Sequence, residues 1–329
     1  MRLKLVPNKT TIDFFSKIKF IFSISLFAAF LSLILFFVFG LNYGIDFRGG
    51  TMLMVQTKNE VSISYYRDIL QSADVGDTSV SEISDPGSKI SSGMLDKNRH
   101  IFLIRIEQAE GEDSIQNESI IKVKDVLSKQ IPNIQFLQTE SVGAKVSKEL
   151  VRKGLISVIL AVSAVLFYIW IRFEWQFAIG AVFALVHDVA ITVGIFSVLG
   201  LEFNLSIIAA LLTIVGYSLN DTVIVFDRIR ENLKKFRKKP LLEVLNLSVN
   251  ETLSRTVMTS VTTLLALSSL YILGGDVIRG FTFAMIWGVL IGTFSSIFVA
   301  SASLFVLGVK RDWSKANTEA GTQFTNSSQ

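Results

Sequence analysis

Cysteine is absent from the 329 residues, and histidine is scarce: only His100 and His187. The first absence excludes a disulfide framework and any thiolate metal site. The second leaves too few imidazoles for an ordinary zinc enzyme. Charge is missing over long stretches too, although the net charge is a modest +4 and 50% of the residues are apolar. The apolar residues gather into runs about as long as the roughly 20 residues that cross a bilayer. That is the pattern of a membrane protein rather than of a soluble core.

The first such run, Phe20–Phe39, follows Arg2, Lys4, Lys9, Lys17 and Lys19. It is longer than a secretory h-region and no small-x-small cleavage site follows it, so a retained helix is expected. Five more spans are predicted: Leu155–Ile171, Phe177–Leu199, Leu205–Phe226, Thr256–Leu273 and Phe281–Val309. The last is long and should tilt or protrude. Arg172 lies between spans two and three, and Lys310 and Arg311 follow span six. The loop after span four holds Arg228, Arg230, Lys234, Lys235, Arg237, Lys238 and Lys239. The opposing loops are poor: Gly200–Asn204 has no positive residue and Gly274–Gly280 has only Arg279. The positive-inside rule then makes both termini cytoplasmic; Arg152 and Lys153 run against it, but they close a long segment, where the rule is weak.

The expected organisation is a cytoplasmic N-terminus (1–19), span one (20–39) and an external α+β domain (40–154). Spans two to six (155–309) follow, with a basic loop and amphipathic helix at 227–255, then a cytoplasmic tail (310–329). After Pro240, the spacing of Leu242, Leu245, Val249 and Leu253 fits either a short interfacial helix or an extension of span five.

Within the external segment, Thr51–Thr57, Ser79–Ser84, His100–Glu107 and Ile134–Thr139 read as strands. Ser64–Ser72 and Ile115–Gln130 read as helices, the second ended by Pro132. The order β-α-β-β-α-β predicts a ferredoxin-like sandwich, a fold that by itself says nothing of function. No paired carboxylates, nucleophile or phosphate loop stand out there, so a binding or mechanical element is expected rather than an enzyme.

Polar residues inside spans are functional candidates by default. Span one has no charge, span three has His187-Asp188 near its middle, and span four has Asn220-Asp221-Thr222. By the 1.5 Å helical rise, Asp221 lies about 7–8 Å inside the end of span four. Arg255 enters from the same side and could meet it. Two readings stay open for Asp221: a hydrogen-bonded or ion-paired group that holds helices together, or a proton carrier alternating between a desolvated state and pairing with Arg255. His187 and Asp188 are adjacent, so their side chains should diverge by about 100° and form no common site. Asp188 is then a candidate acceptor for span four, or a secondary member of a relay. Ala284, Gly288, Gly292, Ser296 and Ala300 recur every four residues along span six, a stripe that fits a close helix–helix seam.

Asp46-Phe47-Arg48-Gly49-Gly50 after span one, the segment from Val142-Gly143 to Glu149-Leu150, and above all the run from Tyr217 through Asn220-Asp221-Thr222 to Asp227-Arg228-Ile229-Arg230-Glu231-Asn232 resemble the SecF branch of the SecD/SecF family. This is a family of bacterial Sec translocase subunits within the RND superfamily of proton-driven exporters. The resemblance covers about residues 15–310; Ala144 stands where the family pattern has proline. It implies an RND-like bundle of six transmembrane helices in the bacterial inner membrane. It also implies proton-motive-force-coupled protein export without cofactor or hydrolase chemistry, and no Walker motif is present. By resemblance, Asp221 is the membrane carboxylate linked to proton flow and Arg255 its partner, with Asn220 and Thr222 beside it. Asp46, Arg48, Gly49 and Gly50 mark the domain entry. The implied partners are SecD, the SecYEG channel, YajC as a further associate, and translocating preproteins; no nucleic acid is expected.

Overall fold

Six helices are long and apolar enough to cross a membrane in the structure, a computed structural model that describes residues 10–58, 61–73, 78–82, 100–106, 113–275 and 278–309. They are α1 (Ile18–Phe39), α5 (Ala144–Arg172), α6 (Trp175–Leu199), α7 (Leu205–Lys235), α8 (Leu241–Leu273) and a sixth span. The sixth is built from α9 (Arg279–Ser295), one π-helical turn (Ser296–Ala300) and α10 (Ser301–Leu307). Spans three, four and six form the centre of the bundle and bury about half of their residues; spans one, two and five lie around them. A central cluster includes Phe173, Phe177 and Phe226, with Phe177 edge-on to Phe226 at 5.2 Å. Apolar side chains on the outer helices face outward, as a lipid-facing surface requires.

Hydropathy marks the part of a helix that suits lipid, not the whole helix, and the boundaries shift accordingly. Span two begins at Ala144, about three helical turns before the expected Leu155, and these polar turns carry a Glu149–Lys153 ion pair at 2.7 Å. Residues 227–255 are not a separate amphipathic helix. Their first part, to Lys235, continues span four, and their last part, from Leu241, is the start of an unbroken span five. Pro240 does not interrupt that helix, because it stands just before the first turn, where its missing N–H is harmless. Asn246 and Asn250 on this stretch grip the chain ahead of span one. Asn250 accepts from Ile12 N (2.9 Å) and donates to Ile12 O (2.8 Å), and Asn246 accepts from Phe14 N (2.9 Å).

Between spans one and two, β2 (Gly50–Thr57), β3 (Thr78–Glu82), β4 (His100–Ile106) and β5 (Gln135–Val142) form an antiparallel sheet in the order β3-β4-β2-β5. Period-2 alternation sends Leu53, Val55, Phe102 and Ile104 towards α3 (Ile63–Ser72) and α4 (Asp113–Gln130), where Tyr66, Leu70, Val123 and Leu127 meet them. Met52, Met54, Ile101 and Leu103 occupy the other face with Ile45. The expected elements are all present; residues 83–84 and 107 of the expected strands, the tail 310–329 and residues 1–9 lie outside the described residues.

Sheet and bundle meet at one junction. Strand β1 (Asn42–Tyr43), after span one, pairs in parallel with β6 (Glu202–Phe203), before span four. Arg105 of β4 reaches into it, forming an ion pair with Glu202 at 3.0 Å and donating to Asn42 Oδ1 at 2.8 Å. The short helix α2 (Ile45–Arg48) follows β1 and ends in Gly49 and Gly50, at φ 75° and 111°. Glycine tolerates this left-handed region, so the pair can turn the chain from the bundle into β2.

Candidate functional site

Asp221 is fully buried in span four, and neither carboxylate oxygen has a hydrogen-bond partner among the described residues. The hydroxyl of Thr222, next to it, is buried and has no partner among those residues either. Arg255 of span five is near enough for its charge to act on Asp221, but no ion pair joins them among the described residues, and the Arg255 side chain is exposed. Asn220 is exposed on another face of the same helix. The structure therefore brings Asp221 and Thr222 together inside the bundle and leaves Asn220 and Arg255 on its surface.

A second buried cluster overturns the expectation that His187 and Asp188 diverge. His187 Nδ1 lies 2.9 Å from Asp188 Oδ1, and both residues are buried. Their Cα–Cβ bonds do diverge, but two rotatable bonds on each side chain let the tips meet. In an apolar interior no water competes for them. The other carboxylate oxygen of Asp188 accepts from Ser218 of span four (2.6 Å) and Ser295 of span six (2.8 Å). His187 Nε2 lies 2.6 Å from Ser25 Oγ of span one. With Asp188 ionised, Nδ1 carries the proton and donates, and Nε2 accepts from the serine. One connected network thus ties spans one, three, four and six.

Sequence reasoning missed Ser25 and Ser295. Both are ordinary serines in apolar helices, and only their position opposite a buried acceptor distinguishes them. The stripe on span six faces span four: a Cβ on Gly292 would lie 3.1 Å from Ser218 Cβ, and one on Gly288 would overlap Ile214. Ala284 and Ser296 are buried along the same helix.

The basic end of span four is held by paired charges. Asp227 accepts from Arg172 (3.0 Å), Arg230 faces Glu174 (3.7 Å), and Arg228 bonds Glu251 (2.7 Å) and Glu231 (2.6 Å). Asn232 donates to Ser248 (3.0 Å) and Glu251 (2.7 Å). Burial pushes the Glu174 carboxyl, in the loop before span three, above its usual range, with Arg230 and Lys234 opposing that shift. At the other end Asp46 Oδ2 accepts from Leu205 N (2.9 Å), and Asn204 Oδ1 accepts from Ile207 N (3.3 Å), so two side chains cap span four. The Asp46 carbonyl also accepts from Ser147 Oγ of span two (2.8 Å).

Residues 122–310 match the family described as protein export membrane protein SecD/SecF, C-terminal, and residues 34–61 match the SecD/SecF GG motif. Protein translocase subunit SecF of Cereibacter sphaeroides is 49% identical over 327 residues, covering 99% of this chain and 98% of that protein. The same subunit of Rickettsia bellii is 38% identical over 312 residues, covering 94% and 97%. Among solved structures, SecDF of Thermus thermophilus, titled a translocon-associated membrane protein, superposes with a TM-score of 0.81 at 34% identity over 93% of this chain. This chain spans 40% of the length of that structure. With its bundle of six apolar helices, its glycine pair at the domain entry and relatives matched end to end, the chain belongs to the SecD/SecF family of protein export membrane proteins.

Proposed function

We propose that this chain is a proton-motive-force-coupled subunit of the Sec export machinery, assisting late preprotein translocation on the periplasmic side of the inner membrane. Both termini are cytoplasmic in this reading, and the α+β domain over 40–154 is periplasmic. The names of the relatives support the export role, and the fused SecDF structure supports a SecD partner. SecYEG, YajC and the emerging preprotein are the further partners proposed. The sheet order β3-β4-β2-β5 supports the ferredoxin-like reading of the domain.

The observation that carries the mechanism is Asp221: a fully buried carboxyl with no hydrogen-bond partner among the described residues, in a span whose two ends are clamped. A purely structural carboxyl would be expected to have donors aimed at it. Protonation of Asp221 removes its charge, and Arg255 favours the ionised state; alternation between the two biases a rearrangement of span four. One charge crossing about 100 mV supplies roughly 2.3 kcal/mol, which moves a two-state equilibrium by a factor of about 50. The movement reaches the domain through the Asp46 cap and the Arg105–Glu202 pair at the head of span four.

Asp221→Asn tests this. It keeps size but removes the titratable proton, so the variant should assemble at normal levels and lose gradient-dependent export. Arg255→Ala should resemble it, and Arg255→Lys should lose less, keeping the charge without the forked donor geometry. Normal gradient-driven export by assembled Asp221→Asn would sink the reading.

A further inference from the structure

The Ser25–His187–Asp188–Ser218–Ser295 network lies outside the Asp221 site, yet it holds the helix that carries it. Ser218 is three residues before Asp221, so on an α-helix the two lie about 4.5 Å apart along the axis on neighbouring faces. We propose that Asp188 is a positioning residue for Asp221. By accepting from Ser218 and Ser295 through one oxygen, it fixes the rotation of span four against span six and so fixes where the Asp221 carboxyl stands. The inference rests on the carrier reading of Asp221.

Three observations carry it. Every member of the network is buried, so its bonds have no water to exchange with. Ser218 also sits in the close-packed seam of spans four and six, opposite Gly292, where a side chain added at 292 would come within 3.1 Å of it. Ser295 immediately precedes the π turn, the point at which span six departs from regular winding. The carboxylate therefore fastens the two helices within their close-packed seam, and His187 extends the fastening to span one.

Hydrogen bonding rather than charge is the requirement, and this separates positioning from proton relay. In Asp188→Asn the amide oxygen still accepts from both serines. The amide nitrogen faces His187, whose imidazole can change tautomer so that Nδ1 accepts and Nε2 donates to Ser25. Asp188→Ala offers no acceptor: Ser218 loses the carboxylate oxygen it donates to, and Ser295 keeps only the Gly292 carbonyl of its own helix at 3.2 Å, so neither serine is tied to span three.

The test uses the full chain in its assembled complex, with Ile214→Cys and Gly288→Cys as a reporter of the seam; the native chain has no cysteine to interfere. Oxidative cross-linking of the pair and gradient-driven export per assembled complex are read together. Asp188→Ala should slow cross-linking about tenfold, since a lost bond to a charged group shifts an equilibrium by roughly that factor, and should lower export in step. Asp188→Asn should restore most of both. Ser218→Ala removes one bond with little change of volume and gives the same readouts if Asp188→Ala does not assemble. Wild-type cross-linking and export in Asp188→Ala or Ser218→Ala would overturn the proposal. So would Asp188→Asn that cross-links normally but exports no better than Asp188→Ala, which is the signature of a relay. Failure of the carrier reading looks different: Asp221→Asn then exports normally, whatever the cross-linking of the Asp188 variants shows.

Discussion

The carboxylate of Asp46 accepts a hydrogen bond from the backbone N–H of Leu205 at 2.9 Å, across 159 residues of sequence. The residue that opens the α+β domain thereby caps the span that carries Asp221. A carboxylate at this position satisfies a donor that the helix cannot satisfy itself, and it faces the positive end of the helix dipole.

Asp46→Ala should therefore destabilise the protein in detergent by about 1 kcal/mol, the ordinary cost of a lost cap. Asp46→Asn should cost less, because the amide oxygen still accepts. Thermal melts of the purified protein check this; equal melting of Asp46→Ala and wild type would mean that the contact stabilises nothing.

Orientation is tested by thiol labelling. Lys122 on the α+β domain and Lys238 in the basic loop are both exposed. A cysteine at 122 should react with a membrane-impermeant reagent added from outside the cell, and one at 238 only after the membrane is opened. The reverse pattern would overturn the proposed topology and the direction of any coupling.

Gly292→Leu should loosen span six from span four. Even a methyl group there lies 3.1 Å from Ser218 Cβ, so the larger side chain must displace backbone. Overpacking of this kind typically costs about 1–3 kcal/mol. A lower melting temperature in detergent is the expected result, and Gly292→Ala should fall between that variant and wild type.

Tyr66 gives a pH dependence outside the membrane. Burial raises its phenol above the usual 10.0, and the nearby Thr57 side chain opposes the shift only in part. A group whose folded pKa is raised contributes stability that is whole below the unfolded pKa and is lost as pH rises through the folded one. The α+β domain should thus weaken only in strong alkali. Tyr66→Phe, which has no proton to lose, should retain more near-ultraviolet dichroism than wild type at about pH 11; identical alkaline curves would refute the assignment.

The spans were legible because lipid demands long apolar runs, and the sheet because Leu53 and Val55 alternate with Met52 and Met54. Asp221 was legible for the reverse reason, as a charge where none belongs. What could not be read was pairing between helices. Nothing in a single helix shows that Ser25, Ser218 and Ser295 converge on His187 and Asp188, because that depends on how four spans are rotated about their axes. That Asp221 and Arg255 lie near each other without an ion pair among the described residues was hidden for the same reason: depth follows from residue count, whereas azimuth follows from packing. The hold of Asn246 and Asn250 on residues 12–14 was likewise hidden, since asparagine near a basic loop reads as an ordinary solvated residue.

The π turn at Ser296–Ala300 changes what the small-residue stripe means. A π turn accommodates one residue more than the α-helical winding around it, so the helix face advances by about 100° across it. Before the turn, Gly288 and Gly292 face Ile214 and Ser218 of span four; at its end and just after it, the carbonyl of Ala300 and Ser303 face Gly180 of span three. A repeat that looks like one line in the sequence changes direction in space at the turn, where glycines that face span four give way to a close contact with span three. Sliding span six along either partner would break its fit to the other, so the extra residue works as a ratchet tooth that resists translation.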